Sequence, residues 1–212
     1  MYKEEKDKQK EKKKEKEKKY LLPEIKDKKY SLILDLDETL IYAQRNFNYK
    51  LRKNENNINK KRIYLRPCLH EFLHDMKSLF ELIVFSSGTP DYVDPIIKII
   101  EKKEKYFDYI LYRHHITLDE DGNNVKNLDL IGRDLKNIII IDDIPRYYHL
   151  QKENGINIKP FCGNVLSDTK TLKTLNSVLK KIRTDVEESK DIRKSLEKYK
   201  YLLFPNVINK FE

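Results

Sequence analysis

A chain of 212 residues can close one hydrophobic core and carry an appendage, and its 37% charged against 39% apolar residues mean that a highly charged stretch dilutes that core. The net charge of +9 comes from two segments, the first twenty residues (ten Lys against six Asp and Glu) and residues 50–62 (six Lys and Arg against one Glu), so the remainder is formally neutral and no direct nucleic-acid contact is expected. Cys68 and Cys162 lack disulfide or zinc-site spacing, no apolar run is long enough to cross a bilayer, and the N-terminus has neither a secretory core nor an acid-poor presequence, so a monomer of the nucleus or cytoplasm is expected.

Residues 1–19 are Lys/Glu low-complexity sequence without apolar periodicity and read as a solvated arm. Tyr20-Leu21-Leu22-Pro23 marks the entry to a domain expected over residues 20–184, with a helical extension over 185–212. Leu32 to Leu34 is a continuous apolar strand, and Leu69, Phe72, Leu73 and Met76 recur at helical spacing after Pro67. Residues 50–62, rich in Asn and Lys, read as a flexible loop. Phe80 to Phe85 is a second strand; it ends in Ser86-Ser87-Gly88-Thr89, after which Pro90 opens a helix with an apolar face of Ile96, Ile97 and Ile100. Ile110 to Tyr112 predicts a third strand and Ile138 to Ile141 a fourth, with a small β-insertion turning at Asp119-Glu120-Asp121-Gly122-Asn123 between them. Leu172, Leu175, Leu179 and Ile182 stripe a helix started by Ser167 or Asp168, and Ile192, Leu196, Tyr199 and Leu203 stripe another. The pattern is α/β: a doubly wound parallel sheet covered on both faces, with ligands bound beyond the carboxyl ends of the strands.

Asp35-Leu36-Asp37-Glu38-Thr39-Leu40 directly follows the first strand. Two carboxylates in a dry crevice are costly to keep ionised, and a divalent cation is the simplest compensation; with Mg²⁺ in place, one acid can attack a phosphoryl group while the other shuttles the leaving-group proton. Ser86 and the Asp142-Asp143 pair also follow predicted strands, so all three segments converge on one crevice. Taken singly, each has a plainer reading: a helix cap with a turn, an ordinary loop, a turn ahead of a helix. His114-His115 and Tyr147-Tyr148 read as packing or surface residues.

The sequence resembles the haloacid dehalogenase superfamily, and within it the phosphoserine phosphatases that act on the C-terminal domain of RNA polymerase II and related proteins. The resemblance runs from about residue 31 to about residue 184. It rests on Asp35-Leu36-Asp37-Glu38-Thr39-Leu40, Arg66-Pro67, Phe80 through Ser86, Tyr92 with Asp94-Pro95, Val125-Lys126-Asn127-Leu128, Gly132-Arg133-Asp134-Leu135 and Ile141-Asp142-Asp143, in that order. It implies Asp35 as nucleophile, Asp37 as acid and then base, and Ser86 and Lys126 on the transferred phosphoryl group. Mg²⁺ would lie on Asp35, the Asp37 main-chain carbonyl, Asp142 and Asp143, and Thr39, Ser87 and Tyr92 would serve substrate binding, Thr39 also supporting the loop. Ser86 stands where the family usually has Thr, Asn127 where relatives often have Asp, and Asp143 where Asn is common.

The spans between these motifs leave no room for a large cap, and an open crevice suits a phosphate borne on a protein. The resemblance further implies an apolar pocket beside the nucleophile, for which Phe47, Tyr49, Ile63, Tyr64 and Tyr92 are candidate walls. Two other functions fit the same domain: a non-enzymatic presequence receptor of mitochondrial import, and a small-metabolite phosphatase.

Overall fold

Leu32 to Leu34, Leu82 to Phe85 and Ile138 to Ile141 are buried at every position, which requires strands covered on both faces. They form β1 (Ser31–Leu34), β5 (Glu81–Phe85) and β9 (Ile138–Asp142) of a five-stranded parallel sheet, joined by β6 (Tyr109–Leu111) and β10 (Gly155–Asn157) in the order β10-β9-β1-β5-β6. The computed structural model describes residues 20–25, 28–45, 57–58 and 61–203; the arm expected over 1–19 and the last nine residues lie outside them.

Alternation along the strands divides the core in two. Leu32, Leu34, Leu82, Val84, Ile139 and Ile141 face one cluster, which also takes the apolar stripes of α1 (Leu69–Leu79), α2 (Pro90–Ile100), α3 (Thr171–Ser189) and α4 (Ile192–Lys200). Ile33, Ile83, Phe85, Ile138 and Ile140 face the other, which is closed by short 3-10 segments and loops carrying Leu22, Leu128, Ile131 and Tyr148. Both faces are covered, one by helices and one by turns.

Residue 184 lies within α3, and Ile192, Leu196 and Leu203 are buried in the same cluster as the sheet, so the C-terminal helix docks on the core. The helix start differs from the expectation at Ser167 or Asp168: α3 opens at Thr171 because the Asp168 carboxylate is engaged by the buried Arg66, 2.8 Å away.

Residues 50–62 are not wholly a loop. β2 (Ile41–Arg45) pairs antiparallel with β4 (Lys61–Leu65), and β3 (Asn57–Ile58) adds to β4. The charged and amide side chains on these strands mask the period-two pattern that the buried Ile41 and Ile63 mark. The insertion expected near Asp119 is a hairpin of β7 (Thr117–Leu118) and β8 (Asn124–Val125), with the Asp119 carboxylate accepting from the Asp121 and Asn123 amides and Gly122 at φ 79.

At the starts of the strands, Arg133 donates to both Glu81 carboxylate oxygens (2.7 and 2.9 Å) and to the Pro23 carbonyl (2.6 Å), and Ser31 donates to Glu81 at 2.7 Å. The Gly132-Arg133 motif thus fastens the entering chain to the sheet.

Candidate active site

The register Leu34↔Val84 and Leu34↔Ile141 aligns the strand ends, so residues directly after them share one crevice. Asp35 follows β1 with its amide on the Ile141 carbonyl (2.9 Å), Ser86 follows β5 with its amide on the Leu111 carbonyl (2.9 Å), and Asp142 ends β9. The fourth member comes from the insertion. Lys126, just after β8, is fully buried, and its Nζ donates to Asp35 Oδ1 and Asp142 Oδ2, each at 2.6 Å. The ammonium sits near the Phe85 and Tyr147 rings, and the Lys126 amide is tied to the Tyr147 carbonyl at 2.7 Å. Tyr147 therefore packs on the site, in line with the packing reading of the tyrosine pair.

A tight loop aims the first acid and separates it from the second. Glu38 adopts φ 60, and the Leu40 and Ile41 amides return to the Leu36 carbonyl (2.9 and 3.0 Å). The Asp37 side chain is not part of the Lys126 cluster and accepts a hydrogen bond from the Tyr92 hydroxyl. Burial raises the Asp37 carboxyl above the ordinary range; the Tyr92 hydrogen bond opposes this, and the Asp35 charge adds to it.

Asp35, Asp142 and Asp143 each offer a carboxylate oxygen within 4.8 Å of the others. Burial pushes Asp142 up to about 7 despite Lys126, and burial with the charges of Asp35 and Glu38 pushes Asp143 up to about 6. Such a pocket is short of positive charge, and its donors are all hard oxygens, which fits a small divalent cation such as Mg²⁺. The Asp37 side chain is outside this triad, leaving only its main-chain carbonyl for the role expected of it.

The other expected residues fall as follows. Ser86 is buried, and its hydroxyl oxygen accepts from the Gly88 amide at 3.0 Å. Ser87 is half-buried, and its carbonyl accepts from Arg113 Nε at 2.7 Å. Thr39 is fully buried with its hydroxyl 3.4 Å from Asp143 Oδ1, a contact through which it supports the loop. Asn127 binds the Asp129 amide and Gln151, and Lys126 is oriented without it. Of the candidate pocket walls, Ile63 belongs to the buried core, Tyr64 is bonded to Gln44 and Arg62, and Phe47 and Tyr49 lie outside the described residues. His114 and His115 lie in a 3-10 turn rather than a strand, and His115 accepts from the Tyr112 amide (2.9 Å), which is a packing role.

Arg66 has a position that its motif alone does not disclose. It is fully buried, donates to the Thr39 carbonyl (2.9 Å) and the Lys159 carbonyl (2.7 Å), and pairs with Asp168. It ties the Asp35–Leu40 loop to the segment after β10, whose Phe161 amide reaches the Glu38 carbonyl at 2.7 Å. Asp168 is the missed residue; in sequence a lone Asp ahead of a helical stripe looks like a cap.

Comparison with known proteins shows the family. A family model described as NLI interacting factor-like phosphatase matches residues 30–193. The Carboxy-terminal domain RNA polymerase II polypeptide A small phosphatase 1 of Homo sapiens is 31% identical over 158 residues, covering 71% of this chain and 59% of its own length. CTD small phosphatase-like protein 3 of Caenorhabditis elegans is 32% identical over 190 residues, covering 82% and 60%. Phosphatase PSR1 of Saccharomyces cerevisiae is 32% identical over 174 residues, covering 80% and 39%. The chain thus spans three-fifths or less of the length of these curated relatives. The solved structure of Fcp1, an essential RNA polymerase II CTD phosphatase, superposes with a TM-score of 0.50 at 24% identity, covering 76% of this chain and 53% of that one, which bears on the fold. With a family match running from the residue before β1 into α4, the chain belongs to the NLI interacting factor-like phosphatase family.

Proposed function

We propose that the protein is a phosphoprotein phosphatase that removes phosphate from serine or threonine in a flexible tail, such as the C-terminal domain of RNA polymerase II, through an aspartyl-phosphate on Asp35. The observation that carries this reading is the meeting of Asp35, Lys126 and Asp142 beyond the strand ends, with Asp37 held apart from them. An Asp35 carboxylate oxygen attacks phosphorus as the bond to the seryl oxygen breaks. Asp37, whose carboxyl burial raises toward protonation, gives its proton to the departing oxygen and then takes one from the water that cleaves the phosphate from Asp35. Lys126 holds Asp35 in line and places a fixed positive charge where the transferred group spreads its negative charge; the Ser86 hydroxyl can donate to the same group. Mg²⁺ held by Asp35, Asp142, Asp143 and the Asp37 carbonyl would supply the remaining charge neutralisation.

Substrate size follows from access. Among the described residues, the insertions beside the crevice are a two-strand hairpin and a three-strand sheet, too small to enclose it, which favours a protein-borne phosphate over a small metabolite. The acids and Lys126 are all present, which favours catalysis over a presequence receptor. No helix among the described residues is long and apolar enough to cross a membrane, compatible with work in the nucleus or cytoplasm.

The test is hydrolysis of a phosphoserine peptide, an aryl phosphate and sugar phosphates with Mg²⁺ and with EDTA. Peptide and aryl phosphate turnover that EDTA stops, and that Asp35→Asn abolishes in a protein of unchanged circular dichroism, is expected. A sugar-phosphate preference refutes the open-crevice argument, absence of any turnover favours the receptor, and a near-normal rate in Asp35→Asn excludes it as nucleophile.

A further inference from the structure

The wall of the crevice beside Asp37 is basic where an apolar lining is expected. Strand residues alternate, so Lys61 shares its side of β4 with the buried Ile63 and turns inward, whereas Arg62 takes the other side and donates to the Tyr64 hydroxyl at 3.3 Å. Lys61 is half-buried, with its Nζ 4.3 Å from the centroid of the Tyr92 ring, and the Tyr92 hydroxyl in turn donates to Asp37. Among the described residues no carboxylate lies within ion-pair distance of Lys61; the Asp37 carboxylate is taken by the tyrosine. The ring face holds the ammonium, and its charge acts through space on Asp37 without closing an ion pair. A half-buried cation thus stands one aromatic ring away from the acid that serves the departing serine. Glu38, exposed on the nucleophile loop, acts on Asp37 with the opposite sign to Lys61 and would repel a second anion, which Lys61 would attract.

Resting on the phosphatase reading above, we infer that Lys61 is a specificity-determining residue that receives a second anionic group of the substrate, a phosphate or carboxylate flanking the phosphoserine being cleaved. A long-range attraction would act on any anion, but a fixed Nζ beside the leaving-group acid selects an anion at a set separation from the scissile phosphate, so the preference should depend on position along the peptide. It should also weaken with salt, because the site opens to solvent.

The experiment compares kcat/KM for phosphoserine peptides of one sequence carrying Ala, Glu or a second phosphoserine at each of the three positions on either side, all read against aryl phosphate hydrolysis by the same protein. At one or two positions a second anion should raise kcat/KM about three- to tenfold, the scale of one partly buried ion pair. Each ratio is taken within one protein: it should fall toward one in Lys61→Met, return in Lys61→Arg, and shrink at high salt in the unmodified chain. A gain with both anions assigns the preference to charge, and a gain with phosphoserine alone assigns it to phosphate; both support the inference. No gain at any position, or a gain that survives Lys61→Met, overturns it. If Lys61→Met fails to fold, the position and salt dependence of the unmodified chain decide alone. Failure to cleave aryl phosphate or any peptide overturns the phosphatase reading instead, and the inference with it.

Discussion

Asp168→Asn is the substitution whose effect the structure fixes most closely. The Arg66 side chain is 0% exposed and that of Asp168 12%, so the pair is close to fully desolvated. Removing one member of a buried pair strands the other charge, at a cost of about 3–5 kcal/mol. The pair is a single contact of 2.8 Å, with Arg66 Nε and Asp168 Oδ1 unpartnered among the described residues, and Asn retains an oxygen for Arg66. Both facts pull the expectation down to about 2–3 kcal/mol. For a domain of this size that corresponds to a fall of roughly 5–10 °C in Tm. Urea unfolding followed by circular dichroism in EDTA reads the cost directly, without any contribution from bound cation. In an Arg66→Met background, Asp168→Leu should cost less than in the unmodified chain, because no stranded charge is then created. A loss below about 1 kcal/mol for Asp168→Asn would refute the reasoning, since it would mean that Arg66 finds its compensation elsewhere.

Three further outcomes follow from the site and the sheet. Lys126→Met leaves Asp35 and Asp142 facing each other across a buried gap, so in EDTA it should lose about 3 kcal/mol or more of stability by urea unfolding, and it should lose turnover even in excess Mg²⁺. Tyr92→Phe removes the donor that holds the Asp37 carboxyl down; the carboxyl then rises further, an acid stays protonated to higher pH, and the alkaline limb of the kcat profile should move upward, whereas an unmoved limb would separate Asp37 from the proton transfer. Gly155→Ala would place its Cβ 1.9 Å from the buried Tyr148 ring, and the forced shift of ring or strand should cost about 1–3 kcal/mol by thermal or urea unfolding.

The central strands and the four helices among the described residues were legible because Leu32 to Leu34 and Ile138 to Ile141 are apolar throughout and apolar residues dominate the buried stripes of α1 to α4. β2 and β4 were not, because Gln44, Arg45, Lys61 and Arg62 swamp the alternation that Ile41 and Ile63 mark. β10 is three residues long, and the pairing of Gly155-Ile156-Asn157 with β9 supplies what its own pattern lacks. At the site, Asp35, Ser86 and Asp142 could be brought together from sequence because each directly follows a strand. Asp168 could not: its partner Arg66 is 102 positions away, and the only local reading of such an Asp is a cap. The depth of Thr39 was equally hidden, since a Thr after two acids looks polar and open until the loop folds over it.

Arg133 gives the molecule a base. By gripping Glu81 and the Pro23 carbonyl at the starts of the strands, it moors the incoming chain at the pole opposite the crevice. The strand starts thus carry the anchorage and the strand ends the reactive groups, so strain at the Pro23 mooring is separated from the crevice by the length of the sheet.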